Sequence, residues 1–154
     1  YGLNTIITNC SNNYGPHQHA EKFIPTIIRA IIQNNQIPIY GNGDNIRDWL
    51  YVKDHVHALD SIFHKGKFGE KYNVGSNNEI SNIALVKYIC DLCVEKKYHK
   101  NPHKLISFVS DRLGHDHRYA INYTKLHTEL NWSPQFGFEE SLSDTIDWYV
   151  NQMR

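Results

Sequence analysis

The chain has 154 residues, 40% of them hydrophobic and 12% aromatic, enough for one packed domain. Lys plus Arg and Asp plus Glu stand at 16 each, so no net field recruits nucleic acid or an acidic membrane surface, and any anion site has to be local. No apolar run approaches the ~20 residues of a membrane helix and no cleavable signal is visible; the three cysteines, Cys10, Cys90 and Cys93, are an odd and sparse set unlike a secreted disulfide framework, so the expected home is the cytoplasm.

Residues 5–9 form a short β-branched run that reads as a buried strand, ending in an amide-rich turn at Ser11-Asn12-Asn13. From residue 21 to 34, Phe23, Ile24, Ile27, Ile28, Ile31 and Ile32 recur at spacings of three and four. That is a helix with a wide apolar stripe, and Pro25 is tolerable only in its first turn. Residues 37–40 read as a second strand and Gly41-Asn42-Gly43-Asp44 as a hairpin turn. Residues 46–52 read as extended, and Asp54 as the cap of a helix running to Lys65. Residues 71–75 look like another buried strand, and Ser81 caps a helix lined by Ile83, Val86, Ile89, Cys90 and Cys93.

A strand over residues 105–109 leads into the charged loop Asp111-Arg112-Leu113-Gly114-His115-Asp116. A short helix, 124–130, stops at Asn131 in a left-handed conformation, and a last helix spans 139–150 with Leu142, Ile146 and Tyr149 inward. The alternation predicts an α/β architecture with parallel strand pairs. The apolar stripes exceed what so few buried strands need, which points to a larger sheet. With Tyr1 opening in mid-element and the one methionine at Met153, the chain reads as the back portion of an enzyme.

Amides after a strand suit sugar hydroxyls, phosphate oxygens or a carboxamide, although Ser11-Asn12-Asn13 are equally suited to capping their own turn. Arg47 and Arg112 are a diphosphate grip if they converge, and otherwise structural ion pairs with Asp48 and Asp111. Tyr40, after Pro38 and Ile39, offers a ring for a base, with core packing as the rival reading. Cys90-x-x-Cys93 sits within a helical pattern, so both thiols are expected in the core rather than on a metal. His17-x-His19, His55-x-His57 and His115-x-His117 lack supporting acidic or cysteine partners, so no metal site is expected. A Tyr-x-x-x-Lys proton-transfer pair is absent from the sequence, and no catalytic residue is assigned.

The stretches Asn9-Cys10-Ser11-Asn12-Asn13-Tyr14-Gly15-Pro16, Glu21-Lys22-Phe23-Ile24-Pro25, Ile39-Tyr40-Gly41-Asn42-Gly43, Arg47-Asp48-Trp49-Leu50-Tyr51-Val52, Tyr72-Asn73-Val74-Gly75 and Asp111-Arg112-Leu113-Gly114-His115-Asp116 follow one another in order and with characteristic spacing. Together they resemble the dTDP-glucose 4,6-dehydratase family, extended short-chain dehydrogenase/reductases acting on nucleotide sugars, across essentially all 154 residues. The resemblance implies the C-terminal part of that fold, with the last parallel Rossmann strands plus the small α/β substrate-binding domain. The glycine-rich NAD turn and the catalytic residues would belong to an N-terminal part not in this chain.

It further implies that Asn13 contacts NAD, and that Asn12, Lys22 and Phe23 line the sugar diphosphate pocket. Pro38, Ile39 and Tyr40 would hold thymine, Arg47 and Arg112 the diphosphate, and Asn82 with the loop Asp111, Leu113, Gly114 and His115 the rest of the nucleotide. The implied substrate is dTDP-glucose, the implied assembly a homodimer at full length, and this portion alone would be inactive. Another nucleotide-sugar dehydratase, a 4-epimerase and a non-catalytic nucleotide-sugar-binding module are the alternatives. Leu113 stands where the family usually has proline, and Asn131 where it has glycine.

Overall fold

The computed structural model describes residues 2–153; Tyr1 lies outside them. In chain order the elements are β1 (Ile7–Cys10), β2 (Asn12–Tyr14), α1 (Phe23–Ile32), β3 (Ile37–Tyr40), β4 (Ile46–Tyr51), α2 (Val52–Lys65) and β5 (Lys71–Val74). They continue with β6 (Glu79–Ser81), α3 (Asn82–Glu95), a 3-10 turn (Pro102–Leu105), β7 (Ile106–Val109), β8 (Arg118–Tyr119), α4 (Thr124–Leu130) and α5 (Phe138–Met153).

The predicted parallel pairs are present. β1 runs parallel to β5, β3 to β7, and β2 to β4. The start of β4 is flanked by antiparallel β6 on one edge and by parallel β8 on the other. Two cores result. The larger packs α1, α3 and α5 on β3 and β4, and the smaller gathers Leu50, Ala58, Ile62, Tyr72, Val74, Leu126 and Trp132. The isoleucines of α1 account for much of the first: Ile24, Ile27, Ile28 and Ile31 are all buried, each stabilising by about 2 kcal/mol relative to exposure. Cys90 and Cys93 belong to this core, and burial pushes both thiols up to about 12, far from nucleophilic behaviour at neutral pH.

Several expectations are corrected. The first strand is exposed rather than buried, because β1 pairs with β5 alone and its faces lack a covering layer. Ser11-Asn12-Asn13 is no turn: the backbone leaves β1 at Ser11, whose N–H donates to the Val74 carbonyl, and Asn12–Tyr14 then pairs with β4. Gly41-Asn42-Gly43-Asp44 does turn, with Gly43 N donating to the Tyr40 carbonyl, but β3 and β4 join different sheets, so it closes no hairpin. Asp54 does not cap α2. Its carboxylate accepts from the backbone N–H groups of Gln135 and Phe136 and ties the chain before α5 to the start of α2. Ser81 does cap α3, accepting from Ala84 N, and Asn131 is left-handed with φ 54°.

Asp48 is the fold's central polar pin. Fully buried on β4, it accepts from Ser76 N at 3.1 Å, Ser76 Oγ at 2.6 Å and Asn78 N at 3.0 Å. Gly75 permits this approach, since a Cβ there would stand 2.6 Å from Asp48 Oδ2. Ile6, Val56, Leu59, Phe63 and Phe68 line a groove of about 780 Å³ beside β1, with Phe63 81% exposed. Among the described residues no helix is long and apolar enough to cross a membrane.

Candidate functional site

Parallel pairing decides where the site forms. β3 and β7 end together, at Tyr40 and Val109, so the loops that leave them, 41–45 and 110–117, emerge side by side. Ligands in open α/β sheets bind at such carboxyl ends. The first loop is held by Gly43, whose φ of 76° excludes most side chains, and whose absent Cβ would collide with Ile39 and Ile83. Its carbonyl accepts from Ile83 N, and Asn45 O accepts from Asn82 N, so the beginning of α3 is fixed beside the loop.

The second loop is stapled to β4. Asn45 Nδ2 and Arg47 NH2 both donate to the Asp116 carbonyl, at 3.2 and 2.9 Å, while Ile46 N donates to the His117 carbonyl. Arg47 and Arg112 consequently line one cavity of about 260 Å³ together with Leu113, Gly114, His115 and Asp116. The Arg47 guanidinium binds only carbonyl oxygens, of Ile46 and Asp116, and neither arginine forms a salt bridge among the described residues. Arg118, by contrast, is committed to Glu79 through two 2.6 Å bonds, which hold the Glu79 carboxyl below its usual range. The cavity thus carries two cationic forks that form no salt bridge among the described residues, the arrangement that a diphosphate matches bidentately. The expected ion pair between Arg47 and Asp48 does not form. Neighbours on a strand point to opposite faces, and Asp48 is turned into the core.

Tyr40 stands at the rim, and the rival reading of it as a core residue is corrected: it is 42% exposed, while its neighbour Ile39 is buried and Pro38 exposed. Ile39 therefore offers a ligand its backbone rather than its side chain. The Arg112 guanidinium lies over the Tyr40 ring at 5.1 Å, and His115 meets the same ring edge-on. His115 Nδ1 is 2.7 Å from Asp111 Oδ1, which also accepts from Arg112 N. These bonds, the histidine's first, hold the Asp111 carboxyl below its usual range. Leu113, fully exposed, and Gly114, with φ 69°, form the loop tip.

Farther along β4 the neighbours are aromatic and amide side chains, with Trp49 itself buried in the larger core. Two residues after Arg47, on the same strand face, Trp49 stacks against Phe23 at 6.0 Å, and in register beside Trp49 lies Asn12. Exposed Lys22 precedes Phe23 at the start of α1. Asn13 follows at the edge of a 250 Å³ cavity formed with Gly15, Pro16, His17, Gln18 and Val52. Its Nδ2 donates to the Ser11 carbonyl at 3.0 Å and its Oδ1 faces His55 Nδ1 at 2.8 Å, leaving one amide hydrogen and one lone pair for a ligand. Nearby, the Ser11 hydroxyl is buried with no hydrogen-bond partner among the described residues. Asn82, one residue beyond Ser81, lies opposite Asn45, to whose carbonyl its N–H donates, while Arg47 pairs with Ile80.

The structure thus gathers Tyr40, Arg47, Asn82 and the 111–116 loop at the carboxyl ends of β3 and β7, sets Asn12 beside Trp49 and Phe23 farther along β4, and turns Asn13 to the opposite face of β2, toward His55. Residue types alone do not single out Lys22, Phe23 or Asn82, nor the stacking of Trp49 on Phe23 and the bond of His55 to Asn13. The signal for Trp49 was available: it shares β-strand parity with Arg47. His55 had been weighed only as half of a metal pair, whereas its partner is an amide 42 residues away.

The family model described as GDP-mannose 4,6 dehydratase matches residues 1–145. The dTDP-glucose 4,6-dehydratase of Shigella flexneri is 50% identical over 151 residues, covering 97% of this chain and 42% of that protein. Among solved structures, the dTDP-glucose 4,6-dehydratase of Bacillus anthracis, in complex with NAD, is 44% identical with a TM-score of 0.86, covering 95% of this chain and 44% of that one. The Streptomyces venezuelae dTDP-glucose 4,6-dehydratase, also with NAD bound, is 35% identical with a TM-score of 0.91, covering 98% and 45%. The chain spans less than half the length of these relatives.

Proposed function

Since the chain belongs to the GDP-mannose 4,6-dehydratase family, we propose that it forms the nucleotide-sugar-binding portion of an NAD-dependent dTDP-glucose 4,6-dehydratase. The observation that carries this reading is the convergence of Arg47 and Arg112 in one cavity beside the Tyr40 ring, with no salt bridge to either among the described residues. The cavity would supply the diphosphate grip, Tyr40 an aromatic ring for a base, and Asn12 and Asn13 amides for the sugar and the nicotinamide. The ~50% identity to relatives named dTDP-glucose 4,6-dehydratase favours thymine over guanine or uracil as the base.

In the proposed reaction, carbon 4 of the glucose is oxidised, which acidifies the proton on carbon 5. That proton and the carbon 6 hydroxyl leave as water, and hydride delivered to carbon 6 yields dTDP-4-keto-6-deoxyglucose. Bound NAD would supply the acceptor for the carbon 4 hydride and return it to carbon 6. This chain's residues would contribute binding rather than bond breaking: the remote nucleotide is held so that its binding energy positions the sugar at the reacting centre. The enzyme would be a cytoplasmic homodimer, and residues 1–154 alone would be inactive.

The test is a binding comparison of dTDP, UDP and GDP on the intact enzyme, with dTDP expected to bind most tightly; tighter UDP binding would favour a 4-epimerase or another dehydratase. In the same assay Tyr40→Ala is expected to weaken thymidine and dTDP alike by roughly tenfold, because aromatic stacking on a base contributes ~1–3 kcal/mol whatever follows it. On this reading the apolar groove beside β1 seats the rest of the enzyme. The isolated chain should therefore bind a hydrophobic dye, and a Phe63→Ser, Phe68→Ser variant should bind much less, as read by dye fluorescence.

A further inference from the structure

The orientation of the Asn13 carboxamide is set by a chain of bonds that starts at a backbone oxygen. The Ser11 carbonyl only accepts, so the Asn13 atom 3.0 Å from it has to be Nδ2. That places Oδ1 toward His55 Nδ1, at 2.8 Å, and an amide oxygen likewise only accepts. The histidine proton on this side is thereby assigned to Nδ1, and burial, which lowers the pKa of His55, keeps the ring neutral with Nε2 bare. Gln18 Nε2 donates to the Asn13 carbonyl at 2.7 Å, and Tyr149 OH on α5 donates to the Gln18 carbonyl at 2.6 Å, so the backbone of Asn13 is fixed as well. The side chain retains one soft coordinate: a half-turn of the carboxamide, which would exchange its donor and acceptor toward the cavity.

We propose that His55 is a positioning residue that locks this half-turn, presenting the Asn13 amide in one fixed donor and acceptor order to the carboxamide or ribose of the bound dinucleotide. The inference rests on the reading of Asn13 as an NAD contact. Without the Nδ1–H donor, the Asn13 amide would lose one of its two anchors, and part of each binding event would be spent ordering it.

The experiment uses the intact enzyme and measures NAD and dTDP affinity separately, for His55→Leu, His55→Asn, Asn13→Ala and the Asn13→Ala, His55→Leu pair. Asparagine places its Nδ2 donor where the histidine has Nδ1, so it restores the bond without the ring. His55→Leu is expected to weaken NAD about tenfold with dTDP unchanged, and His55→Asn to stay within about threefold of the parent, the worth of one hydrogen bond. The double variant should be no weaker than Asn13→Ala alone. Equal NAD affinity in parent and His55→Leu, with Asn13→Ala impaired, would overturn this inference alone. An unimpaired Asn13→Ala would overturn the reading of Asn13 as well. Nitrogen-15 NMR of histidine-labelled parent enzyme tests the bond without any substitution: a proton on Nδ1 is expected, and a proton on Nε2 with bare Nδ1 would overturn the proposal.

Discussion

Replacing Arg47 and Arg112 together by alanine is expected to weaken dTDP binding at least about hundredfold while leaving thymidine binding within about threefold. Charge-assisted hydrogen bonds contribute ~1.5–3 kcal/mol each, so either single substitution alone should cost roughly thirtyfold. Because both forks address one diphosphate, the two losses are not expected to add fully. Arg112 has a competing position, over the Tyr40 ring at 5.1 Å. An exposed cation–π contact is worth only ~0.5–1 kcal/mol, so phosphate oxygens should draw the guanidinium off the ring and free its face for the base. Arg47 also staples the Asp116 carbonyl, so its loss should loosen the 111–116 loop as well as remove charge. Arg47→Lys separates these effects, keeping the charge but not the fork. Titration calorimetry with dTDP and thymidine checks the prediction, and an unchanged dTDP affinity in the double variant would remove the basis of the proposed function.

The parts of this molecule that were legible in sequence are those where periodicity reports burial. α1, α3 and α5 lie close to where their apolar spacing puts them, and Cys90 and Cys93 fall in the core for the same reason. Short strands were harder. Asn12–Tyr14 reads as a turn because asparagines usually make one, yet pairing with β4 overrides the local preference. Asp54 reads as a cap because of its place at a helix start, but its acceptors go to the chain 81 residues later, which no local pattern reveals. The site shows the same division. Arg47, Arg112 and the amides stand out by chemistry, whereas Phe23 and Asn82 are ordinary residues made relevant by packing against Trp49 and by a backbone bond to Asn45. His55 lies at the far end of that scale, since only coordinates join it to Asn13.

Asp48→Ala is expected to be the most destabilising single change on β4, at about 3–5 kcal/mol, the usual consequence of leaving buried charged-group partners unsatisfied. Ser76 N, Ser76 Oγ and Asn78 N would lose their acceptor at once, and with it the link that holds the 75–78 segment against β4. The Ser76 hydroxyl can turn fully to the Trp49 carbonyl, which it already reaches at 2.8 Å, so the two N–H groups carry most of the cost. Asp48→Asn keeps the shape but brings an NH2 group among donors, and can satisfy only part of the cluster; it should cost less than alanine, about 1–3 kcal/mol. Gly75→Ala attacks the same cluster from outside, since its Cβ would press on Asp48 Oδ2 and Ile121. Because β4 also carries Arg47, the damage should reach the ligand. Denaturant unfolding of Asp48→Ala should show a lowered midpoint, and any folded fraction should bind dTDP more weakly although Asp48 faces away from the cavity. Stability equal to the parent would mean that the three donors find other acceptors, and that the register of β4 with β6 is held by the backbone ladder alone.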